Sequence, residues 1–303
     1  MVQKNCLNKL IIIVGPTGVG KSDYGVDVAL NHNGEIINAD SVQIYKGLDI
    51  GSGKIKKEEM KGVPHHLLSL IDPSEQFTVV DFSNKAKECI KDIQSRGKLP
   101  IVVGGTGFYV NALLHDYDCG DAGPDYELRD RLRKLEEENG EGYLAELLYS
   151  LKPDSTVEKK DTKRVIRQLE LYYSDKKDSS PKNNDKLDAL LIIMDADRKE
   201  LDKRAEIRIR KMFSAGLVDE VKSLKDYFSC RITDSIGYKE VKLGLENNLS
   251  EEEIIDMMKL NYHRLIKKQQ TFFRWIKWDN KLIINNWDFS QAEEKIKEFL
   301  NEY

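Results

Sequence analysis

The sequence predicts an α/β protein, a parallel sheet flanked by helices and interrupted by a helical insertion. An apolar run, Leu10-Ile11-Ile12-Ile13-Val14, leads straight into a glycine-rich turn. Over the first 120 residues, short β-branched runs alternate with amphipathic segments, the signature of a doubly wound sheet. The β signal then lapses between about 121 and 185 and resumes at 187–194.

Taken in chain order, strands are expected at 10–14, 35–38 and 99–103. Helices are expected at 21–32, closing near Asn33-Gly34, and at 78–95, closing at Arg96-Gly97. The stretch 41–77 carries Gly47, Gly51, Gly53, Gly62, Pro64 and Pro73 and reads as a long irregular loop, which in a compact domain is usually functional. Amphipathic helices follow at 125–139, 141–151 and 161–173, then a polar loop over 174–188. After the strand at 187–194 the chain reads as mostly helical, at 198–214, 217–228, about 238–246 and 250–277, with a last strand at 282–284 and a helix at 290–302. The expected division is a core of 1–120 with 187–303 and a helical insertion of 121–186.

At 303 residues, 40% hydrophobic and 33% charged, the chain has ample material for a core. No apolar stretch approaches the roughly 20 residues of a membrane span, and the N-terminus shows no signal-peptide pattern. Cys6, Cys89, Cys119 and Cys230 are scattered, as expected of reduced cysteines in a cytoplasmic protein. A monomer is the default expectation. The net charge of −4 conceals an asymmetry: residues 198–281 hold 19 Lys+Arg against 14 Asp+Glu, a local +5 that leaves −9 elsewhere. A basic C-terminal third suits either a solvated helical surface or an anionic partner larger than a nucleotide.

The turn after the first strand is Gly15-Pro16-Thr17-Gly18-Val19-Gly20-Lys21-Ser22, the G-x-x-x-x-G-K-[ST] pattern that wraps backbone N–H groups around a phosphate. Glycines permit the wrap, Lys21 supplies a cation, the Ser22 hydroxyl can reach Mg²⁺, and the following helix turns its positive end to the same anion. The sheet is therefore expected to be P-loop NTPase-like. Asp40 ends the strand 35–38 at the carboxyl edge, where it can serve as a Mg²⁺ ligand, a general base or a cap for the next segment. Gly104-Gly105-Thr106-Gly107 reaches the same edge, either as a plain turn or as a place where Thr106 meets a substrate oxygen. Hydrolytic P-loop proteins usually end a second strand in an Asp that orders Mg²⁺ and water. Here that strand ends in Gly-Gly-Thr-Gly, which favours transfer over hydrolysis. His65-His66 lie next to each other on an extended segment and face opposite ways, which disfavours a shared metal. The run Phe272-Phe273-Arg274-Trp275 reads as a packed amphipathic helix sooner than as a base-stacking surface.

Several blocks resemble the tRNA dimethylallyltransferases: Gly15 to Ser22, Asp40 to Gly51, Val63 to Leu68, Gly104 to Tyr109, Arg164 to Arg167, Ile236 to Glu240, and the Lys-Lys-Gln…Phe-Phe-Arg stretch at 267–274. The resemblance runs in order along nearly the whole chain. It implies transfer of a dimethylallyl group from its diphosphate to N6 of the adenosine 3′ of the anticodon, position 37 of tRNA. By that resemblance Asp40 is the general base, and Lys21, Arg208 and Mg²⁺ on Ser22 stabilise the departing diphosphate. Thr106 contacts the bridging oxygen. It also implies that Asp40, Ser41, Val42, Gln43 and Thr106 read the target base, and that Arg129, Lys163, Arg164, Val165, Ile166 and Arg167 contact the tRNA. Lys163 stands where the family commonly has Arg, and Lys267-Lys268-Gln269 where it has Lys-Arg-Gln, so Lys163 and Lys268 offer point charges in place of planar forks. The rival readings are a prenyltransferase acting on free adenine nucleotides and a P-loop small-molecule kinase. The insertion and the basic C-terminal third argue for tRNA over the former, and the block Asp40-Ser41-Val42-Gln43 is unexplained by the latter.

Overall fold

A computed structural model describes residues 8–115, 117–118, 124–174, 180–181 and 187–301. By internal contacts the chain divides into two compact units, Met1–Leu114 with Lys186–Tyr303, and His115–Asp185.

The larger unit is organised by a parallel sheet. Its strands are β1 (Lys9–Val14), β2 (Gly34–Asn38), β3 (His65–His66), β4 (Leu99–Gly104), β7 (Asp188–Asp195) and β8 (Lys281–Asn285), in the order β3-β2-β4-β1-β7-β8. Strand β1 sits between β4 and β7, with Ile12 beside both Val102 and Leu191, and its apolar residues are 0–1% exposed. Burial on both faces explains why these strands read as unbroken apolar runs and not as alternating ones. The chain moves outward from β1 to β2 and β3, returns to β4, then crosses β1 to β7. That reversal places a crevice at the carboxyl ends of β1 and β4, where sheets of this kind bind ligands.

The helices of this unit are α1 (Lys21–Asn31), α2 (Val79–Ser95), α3 (Gly107–His115), α7 (Arg198–Ser214), α8 (Leu217–Ser223), α9 (Tyr238–Asn247), α10 (Glu251–Trp275) and α11 (Ala292–Leu300). Helix α2 begins with a capping box, the Thr78 hydroxyl accepting from the Asp81 N–H while Asp81 accepts from the Thr78 N–H. Helix α10 begins with another, between Ser250 and Glu253. Helix α3 has no counterpart in the sequence-based expectation. It is apolar on most sides, with Tyr109, Val110, Ala112, Leu113 and Leu114 buried, so it lacks the polar face that marks a surface helix. The expected helix at 217–228 ends early, at Ser223, and continues as a 3₁₀ turn over Lys225–Tyr227. The Tyr227, Phe228 and Cys230 carbonyls turn instead to the Thr233 hydroxyl. Within the irregular stretch 41–77, His65–His66 form the two-residue edge strand β3.

The smaller unit packs α4 (Tyr126–Asn139), α5 (Tyr143–Leu151) and α6 (Thr162–Tyr173) around Leu132, Leu144, Leu148, Val165 and Leu169. A short antiparallel pair, β5 (Tyr117–Asp118) with β6 (Ser180–Pro181), joins the segments that enter and leave it. The remainder of the polar loop expected at 174–188 lies largely outside the described residues, as do Cys6 and Cys119. No helix among the described residues is long and apolar enough to cross a membrane.

Candidate active site

The turn between β1 and α1 is the glycine-rich loop that the sequence expects to cradle a phosphate. Gly15, Gly18 and Gly20 hold φ of 153°, 82° and 92°, values that a side chain would resist. Gly20 is the N-cap of α1 and offers no side-chain oxygen, so the first amides of that helix are left for an outside acceptor. Lys21 Nζ donates to the Pro16 carbonyl at 2.8 Å, folding back over the loop. Its pKa is pushed down to about 8, by burial above all, with the nearby Arg208 guanidinium acting in the same direction and Asp40 opposing both. Val19 is buried, and its carbonyl accepts the Trp287 indole N–H at 2.8 Å.

Across the crevice, Asp40 closes a tight turn after β2. Its Oδ1 accepts the N–H groups of Val42 (2.8 Å) and Gln43 (3.3 Å), while Oδ2 has no hydrogen bond among the described residues. The cap reading is thus correct for one oxygen, and the other remains for chemistry. Thr106, at the end of β4, ties the two turns together. Its hydroxyl accepts the Ser41 N–H at 3.0 Å, and its own N–H donates to the Ala39 carbonyl at 3.2 Å.

These groups border one cavity of about 450 Å³. Thr17, Lys21, Ser22, Asp40 to Gln43, Thr106 and Arg208 all line it, on residues from four separate stretches of sequence. Arg208, on α7, is steered by the carbonyls of Ser52 and Gly53, which accept its Nη2 at 3.1 and 3.5 Å. Phe108 and Phe272 add an aromatic wall, with ring centroids 5.5 Å apart. The run at 272–275 therefore divides: Phe273 is buried at 1% exposure, Phe272 lines the cavity and Trp275 is 77% exposed. Gln269 on α10, which lies in the Lys-Lys-Gln block with no role at the cavity expected from sequence, also lines it and bonds to its glycine-rich rims.

His65 and His66 do not share a partner. His65 Nδ1 meets the Val63 carbonyl at 2.8 Å, whereas His66 Nε2 meets the Glu35 carboxylate at 2.7 Å. No cluster of three or more His, Cys, Asp or Glu suited to a metal occurs among the described residues. The donor set still fits Mg²⁺ brought in on a phosphate, since that ion commonly takes one or two protein oxygens and completes its shell with phosphate and water. The Ser22 hydroxyl at the cavity edge is such a donor.

The remaining sequence-predicted contacts fall in the smaller unit. Lys163 and Arg164 are exposed on the first turn of α6. Val165 and Ile166, by contrast, are 1% and 5% exposed and their side chains belong to that unit's core, so a contact of these two residues with tRNA would fall to their backbone. Arg129 and Arg167 both grip the buried carboxylate of Glu170.

A glycine-rich loop at a helix N-terminus and a carboxylate facing one cavity, at the carboxyl edge of a parallel sheet, are the arrangement of an α/β protein with its ligand crevice at that edge. A family described as IPP transferase matches residues 43–275. The tRNA dimethylallyltransferase of Geobacillus thermodenitrificans is 40% identical over 295 residues, covering 94% of this chain and 92% of that protein. Its Bacillus anthracis counterpart is 37% identical with the same shares covered. Among solved structures, the full-length tRNA isopentenylpyrophosphate transferase of Bacillus halodurans superposes with a TM-score of 0.72 at 38% identity over 97% of each chain. A eukaryotic dimethylallyltransferase described as acting on tRNA gives 0.75 at 29% identity, over 96% of this chain and 77% of that one. The chain belongs to the IPP transferase family.

Proposed function

We propose that the protein transfers the dimethylallyl group of dimethylallyl diphosphate to N6 of the adenosine at position 37 of tRNA, releasing diphosphate. One observation carries the reading: a carboxylate with a spare oxygen, Asp40, shares a cavity with two cations, Lys21 and Arg208, beside an uncapped helix N-terminus. In the reaction the bond from the allylic carbon to the bridging oxygen breaks, and a bond from that carbon to N6 forms. The N6 proton passes to Asp40 Oδ2. Negative charge grows on the departing diphosphate, where the loop amides, Lys21 and Arg208 are already aimed. An exocyclic amine is a weak nucleophile, so a carboxylate that orients it and relieves its developing positive charge lowers the barrier.

Mg²⁺ held by Ser22 and the phosphate oxygens would neutralise further charge on the leaving group. Thr106 borders the cavity on the side of the base-reading stretch Asp40 to Gln43, suited to the bridging oxygen. The target base must leave its stack to enter a cavity of this kind, and the apolar wall of Phe108 and Phe272 suits the five-carbon chain or the base face. Lys163 and Arg164 supply exposed cations for tRNA phosphates. The names of the relatives at 37–40% identity support the same substrate.

The experiment is a transfer assay with labelled dimethylallyl diphosphate and, separately, unmodified tRNA, AMP or ATP alone. Label on tRNA at N6 is the expected result. Label on AMP alone points to a free-nucleotide prenyltransferase, and phosphate release from ATP without prenyl transfer points to a kinase or hydrolase.

A further inference from the structure

The carboxylate of Glu220, on α8, accepts four hydrogen bonds, and Glu220 does not itself line the cavity. Oε2 accepts the N–H groups of Asp49 (3.2 Å) and Ile50 (2.7 Å), and Oε1 accepts the Gly51 N–H (3.0 Å) and the Tyr238 hydroxyl (2.7 Å). Three successive backbone amides thus converge on one side chain. Tyr238 is 1% exposed, and its oxygen also accepts the Ser52 N–H at 3.2 Å. Burial, and after it the Glu220 charge, keeps this phenol protonated far above its ordinary range, so it stays a donor to Glu220. The tyrosine ring lies where a Cβ on residue 51 would stand, 2.6 Å away, so Gly51 is needed for the contact.

The segment pinned in this way presents its next two carbonyls to the cavity. Ser52 and Gly53 accept Arg208 Nη2 at 3.1 and 3.5 Å and Gln43 Nε2 at 3.3 and 3.4 Å. Both donors line the cavity, one as a leaving-group cation and the other in the base-reading stretch. We infer that Glu220 is a positioning residue for the transfer reaction, holding residues 49–53 so that their carbonyls aim Arg208 and Gln43 into the cavity. The inference rests on the function proposed above for its catalytic consequence but not for its geometry. A carboxylate suits this position because both its oxygens accept, whereas Gln would set a donor against amides that also donate.

The test is a double-mutant cycle on the full chain with Glu220→Gln and Arg208→Ala, read by transfer kcat, by KM for tRNA and by calorimetric binding of inorganic pyrophosphate. Alone, Glu220→Gln is expected to lower kcat by about 10- to 100-fold, the cost of a misplaced catalytic group, with little change in KM for tRNA. In the Arg208→Ala background the same change should cost clearly less than it does alone, because one of the two groups it positions is already gone. Pyrophosphate affinity should show the same non-additivity, and it does so even if the prenyl acceptor proves not to be tRNA. Tyr238→Phe removes a single hydroxyl and should reproduce the pattern in weaker form, which covers the case of Glu220→Gln failing to fold. Wild-type kcat in both variants, or a full and additive loss in the Arg208→Ala background, overturns the inference.

Discussion

The side-chain oxygen of Gln269 accepts the Thr17 N–H at 2.9 Å, although 252 residues separate them. The other end of the same amide donates to the Gly105 carbonyl, also at 2.9 Å. A single side chain on α10 thereby staples the cradle at the end of β1 to the glycine turn at the end of β4. Both rims of the crevice are glycine-rich backbone with few side chains of their own, so the cavity's shape depends on such cross-links.

Gln269→Ala should therefore loosen the cradle without emptying it of charge. Two part-buried hydrogen bonds are lost, and the expected cost is about 1–2 kcal/mol of stability. Pyrophosphate affinity should fall while that of Gln269→Glu falls further, since the latter places an anion against the loop. Calorimetry on the three proteins checks the order; equal affinities would mean that the staple has no part in shaping the site.

Lys21 should make diphosphate binding depend on pH. Its pKa in the free protein is about 8, so the charge is lost as pH rises through that value. A bound diphosphate favours the cation and raises the pKa. Binding above pH 8 must therefore take up a proton, and affinity must decline as pH climbs. Titrations near pH 9 in buffers of different ionisation enthalpy should reveal uptake of about one proton per site, against much less near pH 7. Lys21→Ala should remove the difference, which separates this proton from those of pyrophosphate itself.

Much of this architecture is legible in the chain because it is local. Strand β1 is a continuous apolar run since both its faces are buried, and the loop that follows it is defined by spacing alone. Asp40 falls at the sheet edge because it follows directly on the strand that carries it there. The roles of Gln269 and Glu220 are invisible by the same logic. Each is an ordinary polar residue on an amphipathic helix, and its backbone partners lie 164 to 252 and 169 to 171 residues away respectively. At Val165 and Ile166 a motif names a stretch, but helical periodicity decides which of its side chains point outward. Lys163 and Arg164 do; the next two residues face the core.

Gly53→Ala tests Arg208 from the other side. Residue 53 has φ of +59°, and a Cβ there would fall 1.8 Å from Arg208 Nη2. The guanidinium is the end of a flexible side chain, so it yields and the fold survives. The left-handed backbone adds about 1–2 kcal/mol of destabilisation. Transfer should drop toward the level of Arg208→Ala, with a melting temperature lowered by only a few degrees. Full activity in Gly53→Ala would show that Arg208 acts from a different position than the one seen.

The smaller unit separates cations that bind from cations that hold. Glu170 is 2% exposed, and its carboxylate accepts two bonds from Arg129 (2.9 and 2.7 Å) and one from Arg167 at 2.6 Å. Burial alone would raise its pKa, but the two guanidiniums and the Asp125 amide outweigh burial and hold it below the usual range. The stabilisation is present above the unfolded carboxylate value and is lost as pH falls toward the folded one. Arg129→Ala strips that buried carboxylate of its bidentate partner, at an expected cost of about 2–4 kcal/mol near neutral pH. Because the variant's Glu170 loses part of what holds its pKa down, that cost should shrink as pH falls, and the variant's stability should decline less steeply with acid than the wild type's. Arg164 has a side chain 78% exposed and only a 3.3 Å contact to Asp161, and Lys163 is exposed beside it. Replacing both by Ala should leave the melting temperature unchanged. It should weaken tRNA binding and flatten the slope of log K against log salt by about one for each phosphate that is no longer neutralised. A salt slope equal to wild type in that double variant would remove the first turn of α6 from the tRNA footprint. A flattened slope in Arg129→Ala with stability intact would instead make Arg129 a phosphate ligand.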